Sequence, residues 1–299
     1  MLTLADIYEV YDKHQDDYNT QVEEFTIGNK KFNFNSQTAL LGIINLSTDS
    51  WHNHAICYTP EQAIHRGKVL TAQGADIIDI GAESSVPKTQ RVDEFKQKSS
   101  LLPVIETLTQ EGVLTSVETY YPELARVCLK AGAKVVNFTG TENSEEMYRA
   151  VADFDAAIII CYLQEKNVRD VKDFDYTLAK DPIDLVYDYF GKEIERATKL
   201  GVKKIFIDPA VALLGPRKQG LYVSTQIKYQ IRSLLNAFRL RKLGFPVLHT
   251  LFTAKEVFGE ELRSGQVFTS VFAALGKNDM LRTHEVSKVK AVLECMSLF

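Results

Sequence analysis

Eight short apolar, β-branched runs recur from residue 38 onward, and a helical pattern follows each. The runs are apolar throughout, as strands buried on both faces are. The first run leads into GIINLSTDS, which lacks the G-x-G-x-x-G turn that an open doubly wound sheet would place there. These three observations predict an α/β chain folded as a TIM (β/α)8 barrel with an N-terminal helix and β-hairpin extension. The 299 residues suit one such barrel.

Residues 1–36 form the extension and residues 37–299 the barrel domain. Within the extension, residues 3–18 are amphipathic and predict a helix. EEFTIGNKKFNFN (23–35) alternates apolar and polar residues around a Gly28-Asn29 turn signal and predicts a hairpin, a lid or bottom plug on the barrel. The strand candidates are 38–45, 76–81, 113–118, 134–138, 156–161, 204–208, 246–250 and 279–283. Pro60 and Pro122 stand where a first helical turn tolerates proline. The helical stretches 185–201 and 231–244 end in Gly, a C-terminal signal. About residues 163–182 the chain is charged and reads as a solvent-exposed insertion after the fifth strand.

Composition narrows the function. Lys plus Arg is 35 against 39 Asp plus Glu, a net charge of −4 with no global basic surface for nucleic acid. No apolar run reaches the ~18 residues of a membrane span, and the polar start is no signal peptide. Cys57, Cys128, Cys161 and Cys295 have no metal-ligand or disulfide spacing and read as free thiols in a reducing cytoplasm.

Barrels of this kind gather function at the C-terminal ends of their strands. Here those ends carry Asn45, Ser47, Asp49 and Ser50; Asp79, Glu83, Ser84 and Ser85; Glu118; Asn137; Asp208; Thr253 and Lys255; Arg282 and His284. Polar residues converge from seven of eight strands, which marks a site. Asp79, Glu118, Asn137 and Asp208 form an acidic set that needs donors to offset desolvation. A flat, nitrogen-rich heterocycle would provide them. Lys255, Arg282 and His284, beside Asn45 and the Ser84-Ser85 loop, suit an oxyanion such as phosphate. Arg282 and His284 are two apart and share one side of their strand. Two plainer readings stand beside these: Asp79 pairing with Lys255 inside the barrel, and Arg282 as a salt bridge of a barrel layer. His52 and His54 read as a solvated loop, since no third metal ligand accompanies them.

GIINLSTDSW (42–51), DIIDIGAESSVP (76–87), SVETYYPELARVCLKAGAKVVN (116–137), IFIDP (205–209), TAKEVFG (253–259) and LRTHEV (281–286) occur in the order and spacing of a known family. The chain resembles dihydropteroate synthase, the pterin-binding barrel enzyme of folate biosynthesis, from about residue 38 to residue 297. The resemblance implies a transferase that condenses 6-hydroxymethyl-7,8-dihydropterin pyrophosphate with p-aminobenzoate and releases pyrophosphate. It implies that Asn45 helps hold Mg²⁺ and that Asp79, Glu118, Asn137, Asp208 and Lys255 bind the pterin. Ser84, Ser85, Thr253, Arg282 and His284 would meet the pyrophosphate and p-aminobenzoate. Asp49, Lys255, Arg282 and His284 would be catalytic, Asp49 by stabilising a pterin cation. A cytoplasmic homodimer is implied as well.

The chain departs from the family pattern in its loops. Glu118 replaces the usual aspartate. Ser84-Ser85-Val86-Pro87-Lys88 and Thr253-Ala254-Lys255 each lack an arginine, and His52-Asn53-His54 replaces S-D-G. The ring pocket is thus kept better than the acceptor apparatus. Two alternatives follow: a divergent paralogue that binds a pterin but uses another acceptor or none, and a pterin-dependent methyltransferase.

Overall fold

The computed structural model describes residues 1–50, 52–84, 89–163, 165–169, 182–209, 227–252 and 255–299, with the side chains at 53, 182, 255, 256 and 262 outside that description. Thr3 opens the first helix with a capping box. Its hydroxyl accepts the Asp6 N–H at 3.3 Å, and its own N–H donates to Asp6 Oδ2 at 2.7 Å. Helices α1 (Leu4–Lys13) and α2 (Gln15–Tyr18) follow, and then the hairpin β1 (Thr26–Ile27) and β2 (Lys30–Lys31). Gly28 takes φ +58° in the tight turn, a region open to glycine.

The hairpin is a bottom plug. Ile27, Phe32 and Phe34 are buried with Leu41, Ile77, Val135, Leu248 and Met280 from the lower ends of the barrel strands. Phe25 and Phe34 meet the Phe206 ring edge-on at 5.2 and 5.3 Å. A buried pair fastens the extension from the side. Arg241 donates to Asp279, to the Thr20 carbonyl (3.0 Å) and to Asn35 Oδ1 (2.7 Å). Burial pushes the Asp279 carboxyl up to about 7 against the pull of Arg241.

The eight predicted strands are all present and parallel: β3 (Ala39–Asn45), β4 (Ile77–Gly81), β5 (Thr115–Thr119), β6 (Val135–Phe138), β7 (Ala157–Cys161), β8 (Lys204–Asp208), β9 (Leu248–Thr250) and β10 (Met280–Thr283). They pair in the order β8-β7-β6-β5-β4-β3-β10-β9. The bridge between Ile207 and Val247, with the Ile207 N–H on the Pro246 carbonyl at 3.1 Å, joins the two ends of that order. Alternate residues face in and out. Outward residues such as Leu40, Ile44, Ile78, Ile80, Val136 and Ile158 pack under the helices in one core.

The surrounding helices are α3 (Pro60–Ala72), α4 (Glu94–Gln110), α5 (Pro122–Lys130), α6 (Ser144–Asp153), α7 (Pro182–Lys199), α8 (Ile227–Asn236), α9 (Lys255–Phe258), α10 (Leu262–Leu275) and α11 (Val286–Met296). Pro60 and Pro122 open their helices, and the Thr59 and Asp93 side chains cap α3 and α4. The stretch expected as one helix over 231–244 divides. After α8 the chain tightens into a 3-10 segment, Ala237–Leu243, and stops at Gly244 with φ +84°. That tightening turns Arg239 towards Asp184 and Arg241 towards Asp279, where both are buried. Among the described residues, no helix is long and apolar enough to cross a membrane. Most of the expected insertion lies outside the described residues. The part described, residues 165–169, is not simply solvent-exposed, since Asn167, Val168 and Arg169 are buried.

Candidate functional site

Along several strands the inward residues change from apolar to polar in the upward direction: Ile77 then Asp79, Val135 then Asn137, Phe206 then Asp208, Leu248 then Thr250, Met280 then Arg282. The alternation thus plugs the lower barrel with hydrocarbon and leaves a polar layer at its mouth. Asp79 is fully buried, and Asn137 and Asp208 are nearly so.

Asp79 is the hub. Ser116 donates to its Oδ1 at 2.6 Å, and Asn137 Nδ2 and Arg282 Nε donate to its Oδ2 at 3.0 and 2.7 Å. The same guanidinium donates through Nη2 to Glu118 Oε2 at 2.5 Å. Two expectations change here. The donors that offset the burial of Asp79 come from the protein itself. Arg282, expected with Lys255 and His284 in a cationic half, has its guanidinium among the carboxylates. The reason is electrostatic: a buried and a partly buried carboxylate on neighbouring strands need a cation, and a fork donor on β10 reaches both. Burial raises the Glu118 carboxyl, helped by Asp79 and opposed by Arg282. Burial works to lower the Arg282 pKa, but Glu118 and Asp79 outweigh it and hold the guanidinium charged. Thr250 Oγ1 lies 3.5 Å from Asp208 Oδ2, which brings Asp208 into the same layer.

A second cluster sits at the edge of the mouth. Asn45 Nδ2 faces Ser50 Oγ at 2.9 Å and His284 Nε2 at 3.1 Å. On the other side of that ring, Gln266 Nε2 faces His284 Nδ1 at 3.3 Å, and Gln266 Oε1 accepts the His284 N–H at 3.0 Å. The His52 ring stacks on His284 with centroids 3.7 Å apart. His52 is therefore no solvated loop residue: burial, with His54 and Arg282 nearby, pushes it down to about 4. Burial and the same neighbours hold His284 well below the usual range, so both rings are neutral near pH 7. His54 lies 3.3 Å from Glu285.

The loops after β3 and β4 meet. Ser84 is buried, and its hydroxyl donates to the Asp49 carbonyl at 3.2 Å. Asp49 itself is exposed, and its carboxylate is not among the acidic set. Ser85 and Thr253 lie outside the described residues. Lys255 begins α9, and its side chain lies outside the described residues, as do both its expected role in the site and the plainer alternative of a pairing with Asp79. Ser116, Thr250, Gln266 and Arg169 belong to this region, and the sequence reading missed them. Ser116 and Thr250 were detectable, each lying two residues from a rim position or from an inward apolar one. Gln266 and Arg169 come from a helix and an insertion, with no periodic signal. Among the described residues, no group of three or more His, Cys, Asp or Glu side chains is arranged to hold a metal ion.

Comparison with known proteins agrees with this architecture. The family of pterin binding enzymes matches residues 41–284. A dihydropteroate synthase of Streptococcus pyogenes is 28% identical over 281 residues, covering 89% of this chain and 97% of its own. The solved dihydropteroate synthase of Xanthomonas albilineans with 4-aminobenzoic acid superposes with a TM-score of 0.77 at 25% identity, covering 93% of this chain and 98% of that one. That of Thermus thermophilus in complex with 6HMPPP gives 0.72 at 26% identity, covering 93% and 100%. The match spans the whole barrel, from the third residue of β3 to the histidine just past β10, and on that ground the chain belongs to the pterin binding enzyme family.

Proposed function

We propose that the protein is a dihydropteroate synthase of folate biosynthesis, joining 6-hydroxymethyl-7,8-dihydropterin pyrophosphate to p-aminobenzoate with release of pyrophosphate. The observation that carries the reading is the polar layer at the barrel mouth, with Asp79, Asn137 and Asp208 buried and Glu118 partly so. Relatives of this chain have been solved with 6HMPPP and with 4-aminobenzoic acid.

Asp208 and Glu118 accept hydrogen bonds from the ring's N–H groups, and Asn137, fixed by its bond to Asp79, orients the ring. Arg282 offsets part of the negative charge of this acidic floor by bridging Asp79 and Glu118, and the ring's N–H groups meet what remains. As the C–O bond to pyrophosphate breaks, the methylene carbon becomes cationic, and the arylamine nitrogen attacks it. The Asp49 carboxylate, on the first loop, stabilises that carbon, and Ser84, Ser85, Thr253 and Lys255 meet the anionic groups. An arylamine is a nucleophile near neutral pH, so no strong general base is required.

The chain's residues fit Mg²⁺. The Asn45 nitrogen is engaged by Ser50 and His284, which leaves its amide oxygen, a hard donor, for the ion. Held there, Mg²⁺ would supply positive charge against the departing pyrophosphate.

The working form is a homodimer in the cytoplasm. Exposed Phe268, Val271 and Leu275, three and four residues apart on α10, support an apolar contact, and the unpaired cysteines suit a reducing compartment. The test is turnover by purified protein with the pterin pyrophosphate, p-aminobenzoate and Mg²⁺, following dihydropteroate and pyrophosphate together. Equal release of both is expected. Retained pterin binding without product would overturn the acceptor assignment and favour a divergent paralogue.

A further inference from the structure

A buried arginine reaches the loop after β4 from elsewhere in the chain. Arg169, in the segment after β7, has a side chain only 2% exposed. Its Nη1 donates to the Ser84 carbonyl at 2.7 Å, and its Nη2 donates to the Thr89 carbonyl at 2.6 Å. Glu83 Oε1 lies 3.4 Å from the same guanidinium. One planar fork therefore ties together the two residues that flank positions 85–88. Glu83 is fixed in turn, accepting the Tyr120 hydroxyl and the Val92 N–H (2.9 Å). Arg91 Nη1 donates to that same hydroxyl at 2.6 Å.

Fixing the Ser84 carbonyl also fixes the residue that reaches the first loop, since the Ser84 hydroxyl donates to the Asp49 carbonyl. Arg169 lines, with Ser84, Thr119, Tyr120 and Glu118, a cavity of about 10 Å³, the size of one water. The clamp thus stands directly behind the Glu118 corner of the pocket. Burying a guanidinium against one carboxylate and two carbonyls is costly, and the segment's apolar contact is already made by the neighbouring Val168, which argues for a role at the mouth.

We propose that Arg169 is a positioning residue for the transfer reaction, setting Ser84, and through it the Asp49 loop, at the edge of the pterin pocket. The proposal rests on the functional reading above for its kinetic arm only. Arg169→Lys keeps the charge beside Glu83, but one ammonium cannot present two parallel N–H groups to two carbonyls. Arg169→Met removes the fork altogether.

Two measurements test the proposal on protein shown by thermal melting to be folded; if Arg169→Met does not fold, Arg169→Lys carries the test. Amide hydrogen exchange over residues 83–84 and 89–92 needs no substrate. It is expected to quicken at least about tenfold in the variants. In the kinetic arm, kcat is expected to fall about tenfold or more, while affinity for 6-hydroxymethylpterin, which probes the ring pocket alone, stays within about twofold. Exchange like the wild type's, an unchanged kcat, or a loss of ring affinity matching the loss of kcat would each overturn the proposal. If the wild-type protein shows no turnover, the functional reading falls while hydrogen exchange still decides whether the clamp orders this loop.

Discussion

Replacing Arg282 with Met removes the cation that bridges buried Asp79 and partly buried Glu118. The side chains of Arg282, Asp79 and Glu118 are 13%, 0% and 17% exposed, so water offers little compensation. Asp79 keeps its bonds from Ser116 and Asn137, whereas Glu118 loses its guanidinium partner. Removing one member of a buried pair typically costs about 3–5 kcal/mol, and that is the destabilisation expected at pH 7 in urea unfolding followed by circular dichroism. Adding Glu118→Gln removes the stranded charge, so the double variant should recover about 2 kcal/mol relative to additivity. The deficit is pH-dependent. Without Arg282 the folded Glu118 pKa rises further above 4.5. The folded state then binds the proton more tightly than the unfolded chain, and stability falls as pH rises through the folded pKa. Arg282→Met should therefore approach the wild type as pH falls towards that of the unfolded carboxyl. Additivity of the two substitutions to within about 0.5 kcal/mol, with no pH dependence, would refute the buried ion-pair reasoning.

Asp208→Ala removes a carboxylate from the ring pocket; a charged hydrogen bond is worth about 1.5–3 kcal/mol, so calorimetry should find pterin affinity about ten- to hundredfold lower. His249, buried on β9, is pushed down to about 4 by burial, so its neutral form stabilises the fold above pH 6.5 and that contribution is lost as pH falls towards 4. The loss amounts to about 3 kcal/mol, and unfolding curves across this range should show a shallower acid slope for His249→Leu. Phe34→Ala opens the aromatic plug beneath the barrel and should cost about 3–5 kcal/mol in the same unfolding assay.

The strands were legible because burial on both faces writes a continuous apolar run, and a parallel barrel does that eight times. The lower plug was legible in the alternation around Gly28-Asn29, and the structure resolves its lid-or-plug choice in favour of the plug. Spacing also brought Arg282, at the mouth end of β10, and His284, just past it, to the same rim. What they meet was not written there. The partners of Arg282 lie 203 and 164 residues away, and only closure of the barrel brings them within reach. His52 read as solvated because its partner is a histidine at the far end of the chain. Arg169 sits in a charged stretch, where composition signals a wet surface. Its burial comes from the loop after β4 folding over it, which no local pattern records.

A crystal structure of the protein grown with 6-hydroxymethyl-7,8-dihydropterin pyrophosphate tests the central assignment most directly. The bicyclic ring should lie across the mouth of the barrel, its N–H groups on Asp208 and Glu118 and its diphosphate towards Asn45 and His284. Density for the compound anywhere else, with Asp208 and Glu118 making no contact to it, would contradict it.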